Sequence, residues 1–299
     1  KKIEIWILYL VVLLGIPTTI LFGSVLRHEL LGGTRLGRVS KTALFFASIP
    51  TEFKKALKPI DADLRVEDRF PLLDGFNGTP NLQESYLLLS KYDGDLQESI
   101  VELIDLTNFQ VLHTWNPDVD KFNNLVKKND EFRNIDRDAN NSRARIFHPK
   151  LTQDGGLLFK FTFSPLKKID SCSNLIFQND HDNFHHSVET DIEGNIWVPS
   201  RMYPKSLLIE KLGNDDAIVK LSPDGEILFE KSVSQILIDN GLEYLLFATG
   251  DWKFTKDPIH LNDIQPVNFD GEFWNKGDVF LSVRNQSIVL LYRPSTNKI

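Results

Sequence analysis

Cysteine occurs once in the 299-residue chain, at Cys172, which rules out an intrachain disulfide and a cluster of thiolate zinc ligands. Basic residues are also short: 34 Lys and Arg stand against 41 Asp and Glu, a formal net charge of −7. A nucleic-acid surface needs a basic excess or a marked basic stripe, so no nucleic-acid partner is expected. A local cationic pocket is compatible with that balance. The sequence has no HExxH and no EF-hand loop. Its glycine-rich stretch from Gly32 to Gly37 has no strand pattern before it and no Gly-Lys-Ser/Thr after it, so it reads as a flexible link rather than a phosphate loop.

Charge is absent from residues 5–23, IWILYLVVLLGIPTTILFG. At about 1.5 Å per residue this run can cross some ~28 Å of hydrocarbon, and Trp6 and Tyr9 sit near one end as interface anchors do. The following Phe22-Gly23-Ser24-Val25-Leu26 is a poor cleavage pattern, which favours an uncleaved anchor over a signal peptide. Lys1 and Lys2 argue for a cytoplasmic N-terminus, whereas Arg27, Arg35, Arg38 and Lys41 argue the reverse. The expected organisation is a transmembrane anchor over residues 1–30, a juxtamembrane helix and linker over 31–83, and a folded domain over 84–299. Residues 34–57 predict an amphipathic helix that Pro50 should break.

Beyond the linker one pattern occurs twice. A histidine precedes Gly-[Asn/Asp]-[Ile/Val]-[Trp/Phe]-[Val/Leu], and an arginine stands seven residues after the glycine, as in His186 to Arg201 and His260 to Arg284. A related unit from His148 to Phe159, HPKLTQDGGLLF, has no matching arginine. The motif [Ser/Ala]-Ile-Val-x-Leu recurs from Ser99, Ala217 and Ser287. Short alternating strands and turns repeating at roughly 40 to 70 residues are the signature of propeller blades, about four of them between Glu84 and Ile299. The expected fold class is therefore all-β, a β-propeller preceded by a transmembrane helix. Ser232-Val233-Ser234-Gln235 ahead of Ile236, Leu237 and Ile238 predicts a capped helix inserted between blades. The chain starts at Lys1 and stops inside a repeat, and it reads as part of a longer protein.

Equivalent loops that deliver histidine and arginine to one centre make an anion site. Of the adjacent pair His185 and His186, only one can face that centre from an extended backbone, and His186 holds the repeat position of His260. His260 and Asn262 are two apart, so a strand would set both on one face, where imidazole and carboxamide reach the same ligand oxygens. Arg284 adds a guanidinium, whose fork matches an oxyanion. Arg201 repeats Arg284 by position, although Pro199 stands where the second copy has Ser282. Trp252, Phe254, Phe273 and Trp274 could wall in an aromatic ring. A metal reading of Asp180, His181, Asp182, His185 and His186 is weaker, because their spacing fits no ligand motif, and no metal is expected.

His185-His186 before the Gly194-Asn195 turn, the run from Asp257 to Asn262, and Ser282-x-Arg284-x-Gln286-Ser287 resemble the arylsulfate sulfotransferases. The resemblance spans roughly residues 84–299 and implies a six-bladed propeller in the bacterial periplasm. It implies transfer of sulfate from one phenol to another, through a sulfohistidine and with no nucleotide or other cofactor. On the matching positions His186, His260 and Arg284 would be catalytic, and Asn262, His185 and Arg201 would bind substrate. The family's nucleophilic histidine belongs to a later blade, and no histidine follows His260 here. The expected partners are a small aryl sulfate, a phenol, and a membrane contacted through residues 5–23. The alternative is a non-catalytic propeller that binds a protein partner or a second copy of the chain, as an accessory subunit of a membrane assembly.

Overall fold

The structure, a computed structural model, describes residues 4–30, 35–57, 75–76, 78–129, 131–161, 164–203, 205, 213–246 and 257–299. The chain divides into two compact units, residues 1–73 and 74–299.

In the first unit the uncharged run forms helix α1, Ile5–Leu30. Its Ile5–His28 stretch has a mean hydropathy of 2.4 and none of it is buried, so by length and composition it is able to cross a membrane. Pro17 lies inside it, and the hydroxyls of Thr18 and Thr19 donate to the carbonyls of Leu14 and Gly15 at 2.7 and 2.9 Å. Helix α2, Gly37–Leu57, packs on α1 and runs through Pro50, where the sequence predicted a break. The reason is local. Proline removes one hydrogen bond, to the carbonyl of Phe46, and Phe46 is exposed enough for water to take over that carbonyl.

The second unit is all-β, and its described residues form four antiparallel sheets in chain order. Strands β1 (Tyr86–Asp93), β2 (Glu98–Asp105) and β3 (Gln110–Trp115) make the first. Two short helices, α3 (Val119–Asn123) and α4 (Ile135–Asp138), lead to the second, made of β4 (Phe147–Leu151), β5 (Leu157–Lys160), β6 (Ser164–Ile169) and β7 (Leu175–Phe184). The third holds β8 (Glu189–Thr190), β9 (Ile196–Arg201), β10 (Asp216–Leu221) and β11 (Ile227–Ser232). Helix α5 (Val233–Asp239) follows, and then the fourth sheet of β12 (Leu261–Pro266), β13 (Val279–Val283) and β14 (Ile288–Tyr292).

The second and third sheets bury both faces by sharing apolar residues with the sheets on either side, and the alternation of the strands decides which residue goes where. Leu157 and Phe159 on β5 face the first sheet with Val101 and Trp115. Leu158, between them, faces the third sheet, where Ile196, Val198, Val219 and Leu221 meet it. Trp197 and Ile218 point the other way, onto Leu261, Ile264, Val279, Leu281 and Val283 of the fourth sheet. Helix α5 is capped as its sequence predicts, Ser232 Oγ accepting from the Gln235 amide at 3.1 Å. Its Val233, Ile236 and Leu237 enter the layer between the third and fourth sheets rather than standing outside it. Closely spaced turn geometry ends the inner hairpins, with Gly194 and Gly277 at φ +80° and +91°, a region that a Cβ penalises.

Candidate functional site

Three histidines enter the first strand of their sheets in the same unusual way. His148, His186 and His260 have φ of 45°, 56° and 53°. A left-handed backbone at a residue other than glycine costs about 1–3 kcal/mol and persists only where the surroundings enforce it. Bulges accompany two of the three. Phe147 pairs with Lys160 and Lys150 with Leu158, and Leu261 pairs with Val283 while Asp263 pairs with Ser282, leaving Asn262 as the extra residue. Each bulge turns the strand entry and re-aims the histidine.

The outcome is a convergence of residues from the third and fourth sheets. His186 Nε2 lies 3.1 Å from His260 Nε2, and Arg284 Nη1 lies 3.2 Å from the same nitrogen. On its other side His260 Nδ1 meets Asp257 Oδ2 at 2.6 Å. The carboxylate fixes the tautomer: Nδ1 carries the hydrogen, and Nε2 presents a lone pair to Arg284 and His186. Arg284 begins a turn that follows β13, and its amide donates to the carbonyl of His260 at 3.1 Å, which ties the two residues' backbones. The amide of Ser187 donates to the Asn262 carbonyl at 3.3 Å, joining the two sheets beside the site.

Burial governs the charges. Desolvation, helped by the neighbouring His185, His260 and Lys160, pushes His186 down to about 4, so its imidazole is neutral at pH 7. Burial alone would raise the Asp257 carboxyl, but the hydrogen bond from His260, with the nearby Arg201 guanidinium and the imidazoles of His260 and His185, holds it below the usual carboxylate range. The guanidinium is then the fixed positive group of the trio.

The other expected site residues divide. His185 is buried with its ring edge-on to that of His186, centroids 5.1 Å apart, and its Nε2 lies 3.1 Å from the Ser200 carbonyl and 3.5 Å from Asp216 Oδ1. Asp216 Oδ2 in turn accepts from the Leu261 amide at 2.6 Å, so His185 and Asp216 brace the sheet junction. Asn262 sits on the bulge, not on a straight strand, and its buried Oδ1 has no hydrogen-bond partner among the described residues. The two-residue spacing from His260 therefore does not act through a regular extended backbone. Arg201 ends β9, and its charge reaches Asp257 and also Glu131, whose carboxyl burial nevertheless raises. Of the expected aromatic wall, Trp252 and Phe254 lie outside the described residues, while Phe273 is exposed and Trp274 packs edge-on against Phe280. Asp257 was missed as a neighbour of His260. Asp257 stands three residues before His260, a spacing that could have signalled a carboxylate–imidazole pair.

The five-residue metal grouping is taken apart by the fold. Asp180 Oδ2 accepts from the Lys127 amide, and His185 and His186 go to the positions just described. Between the pairs Ser164–Phe184 and Leu166–Asn179 one residue of β6 faces four of β7, and this wide bulge swings His181 and Asp182 towards Glu230. Ligand atoms of these three lie within 4.8 Å of one another. Burial, then the charge of Glu230 and a hydrogen bond with it, push the Asp182 carboxyl up to about 8.

With the site assembled, the family model for arylsulfotransferases (ASST) matches residues 148–299, half of the chain and all of the trio. The chain belongs to the arylsulfotransferase family. The match begins at His148, the first of the three left-handed histidines, and runs through both sheets that carry the site. No curated protein matches. A solved protein of unknown function from Bacteroides caccae is 10% identical over 65% of this chain and 50% of that chain, with a TM-score of 0.38. The chain thus spans about half the length of that structure, and a likeness so distant carries no argument.

Proposed function

We propose that this arylsulfotransferase-family chain binds the sulfuryl group of an aryl sulfate between His186, His260 and Arg284, for transfer to a phenol through a histidine. The four sheets are read as four blades of a propeller, of six by the resemblance, over residues 84–299. Residues 1–30 anchor it, residues 31–83 connect it, and the propeller stands in the periplasm or outside the cell. The reading calls for no nucleotide and no other cofactor.

The convergence of the trio at 3.1 and 3.2 Å supports this reading most directly. An arginine and a neutral histidine aim donors at one point, which Nε2 of His260 now occupies. A tetrahedral oxyanion set there would take the same donors, and charge building on its oxygens would be stabilised by groups already oriented. Asp257 fixes the His260 ring through Nδ1, so the donors to the oxyanion come from Arg284 and His186, and His260 holds them in place. In the transfer the S–O bond to the aryl oxygen breaks, the phenolate leaves, and an S–N bond forms to an imidazole. The resemblance implies that this acceptor lies in a later blade, so the residues named here bind and polarise.

Binding tests the reading without turnover. Titration of the full chain in detergent with 4-nitrophenyl sulfate should give saturable binding that Arg284→Ala and His260→Ala each weaken by about tenfold or more. Unchanged affinity in both variants would remove the site assignment.

A further inference from the structure

Lysine is the residue least suited to burial without a partner, yet two lysines of the second sheet are fully buried. Neither Lys160 Nζ nor Lys167 Nζ has a hydrogen-bond partner among the described residues. Their surroundings differ. Lys167 stacks over the ring of Phe161 at 5.1 Å, beside the carboxylate of Asp180, and so faces towards the first sheet. Lys160 ends β5 on the opposite face, two residues beyond Leu158, whose neighbours are Phe184, Val188 and the third sheet. Phe184 and Val188 bracket His186.

The repeat frame explains that direction. Counted from the left-handed turn glycines, Leu158 and Trp197 occupy equivalent positions, and each faces the next sheet along the chain. Lys160 stands five residues after Gly155, and Arg201 and Arg284 stand seven after Gly194 and Gly277. Lys160 ends β5 and Arg201 ends β9, and with odd offsets both lie on the face that Leu158 and Trp197 turn to the next sheet, whereas Arg284 reaches the site from the turn after β13. Lys160 also pairs with Phe147, the residue before His148, at the strand end where the site lies. Its charge is felt at His186, where it opposes protonation.

We infer that Lys160 is a further anion-binding residue of this site, supplying from the second sheet the cation that the His148 unit otherwise lacks. The inference rests on the sulfuryl-binding reading above. A buried ammonium with no partner destabilises the fold, and desolvation holds Lys160 down to about 7. A bound sulfuryl oxygen would give it the missing partner. Such a residue is retained for a ligand rather than for stability.

Two measurements on the full chain in detergent separate this from a structural role. Lys160→Met keeps the chain length and removes the unpaired cation. It should raise or leave unchanged the melting temperature, and weaken inorganic sulfate by about tenfold or more, with a smaller loss for the singly charged 4-nitrophenyl sulfate. Lys167→Met, the control on the other face, should bind both probes as the parent does. A lowered melting temperature with equal losses for both probes, or sulfate binding that Lys160→Met leaves intact, would overturn the inference. If the parent chain binds neither probe, the sulfuryl-binding reading itself falls. Lys160→Gln repeats the test with a polar side chain, and the same loss of sulfate affinity is expected.

Discussion

Replacing Asp257 with asparagine probes the part of the site that decides what His260 can do. The carboxylate sits 2.6 Å from Nδ1 and receives its hydrogen, which leaves the Nε2 lone pair facing Arg284 Nη1 at 3.2 Å. Asparagine can instead offer its NH2 group to Nδ1. That exchange favours the other tautomer, in which an Nε2–H points at the guanidinium donor and the two repel. A hydrogen bond to a charged group contributes about 1.5–3 kcal/mol, equivalent to roughly a 10- to 150-fold change in an equilibrium or rate that depends on it. Asp257→Asn should therefore weaken 4-nitrophenyl sulfate binding and lower kcat/KM for sulfuryl transfer in the complete protein by a factor in that range. The nitrogen chemical shifts of His260 should report the change from an Nδ1–H to an Nε2–H ring. Parent-like binding together with an unchanged tautomer would refute the argument that the carboxylate sets the chemistry of His260.

Asp182 carries a pH dependence in the opposite sense to most carboxylates. Its folded pKa is raised to about 8, so between about pH 4 and 8 the native state holds a proton that the unfolded chain has released, and stability falls as pH rises through that window. His186, depressed to about 4, acts the other way between about pH 4 and 6.5. The difference in melting temperature between Asp182→Asn and the parent should therefore grow from pH 5 to pH 9 in favour of the variant, and a constant difference would discount the raised Asp182 carboxyl. Gly225 has φ +87°, and a Cβ there would lie 2.6 Å from the ring of Phe177. Gly225→Ala should cost about 2–4 kcal/mol in urea unfolding, from the left-handed backbone and the clash together, and a loss under about 0.5 kcal/mol would contradict the packing described.

What could be read from the chain was local and periodic. The uncharged run of residues 5–23 needs only its neighbours to be an apolar helix. The Ser232 cap closes over three residues, and the histidine-led units together with the [Ser/Ala]-Ile-Val-x-Leu repeats announce about four sheets because strand alternation and turn glycines repeat at short range. Choosing His186 over His185 followed from its repeat position; its ring meets His260, while the His185 ring, edge-on beside it, bonds to Ser200 and lies near Asp216.

What only the tertiary structure decided was long-range. His186 and His260 are 74 residues apart in sequence, and their contact depends on two sheets meeting along a shared apolar layer. The bulge at Asn262 and the left-handed turn at His260 cancelled the straight-strand argument, because register slips are set by pairing with β13 rather than by the residues themselves. The cluster from Asp180 to His186 looked continuous in sequence but was dispersed by a four-residue bulge that brought in Glu230 instead. Lys160 reads in sequence as an ordinary strand-end cation, and only its burial between two sheets turns it into a charge in need of a ligand. Sequence determines which residues each strand can present. Which of them meet is determined by how neighbouring sheets bury their faces, a property of the assembled layers and of no single segment.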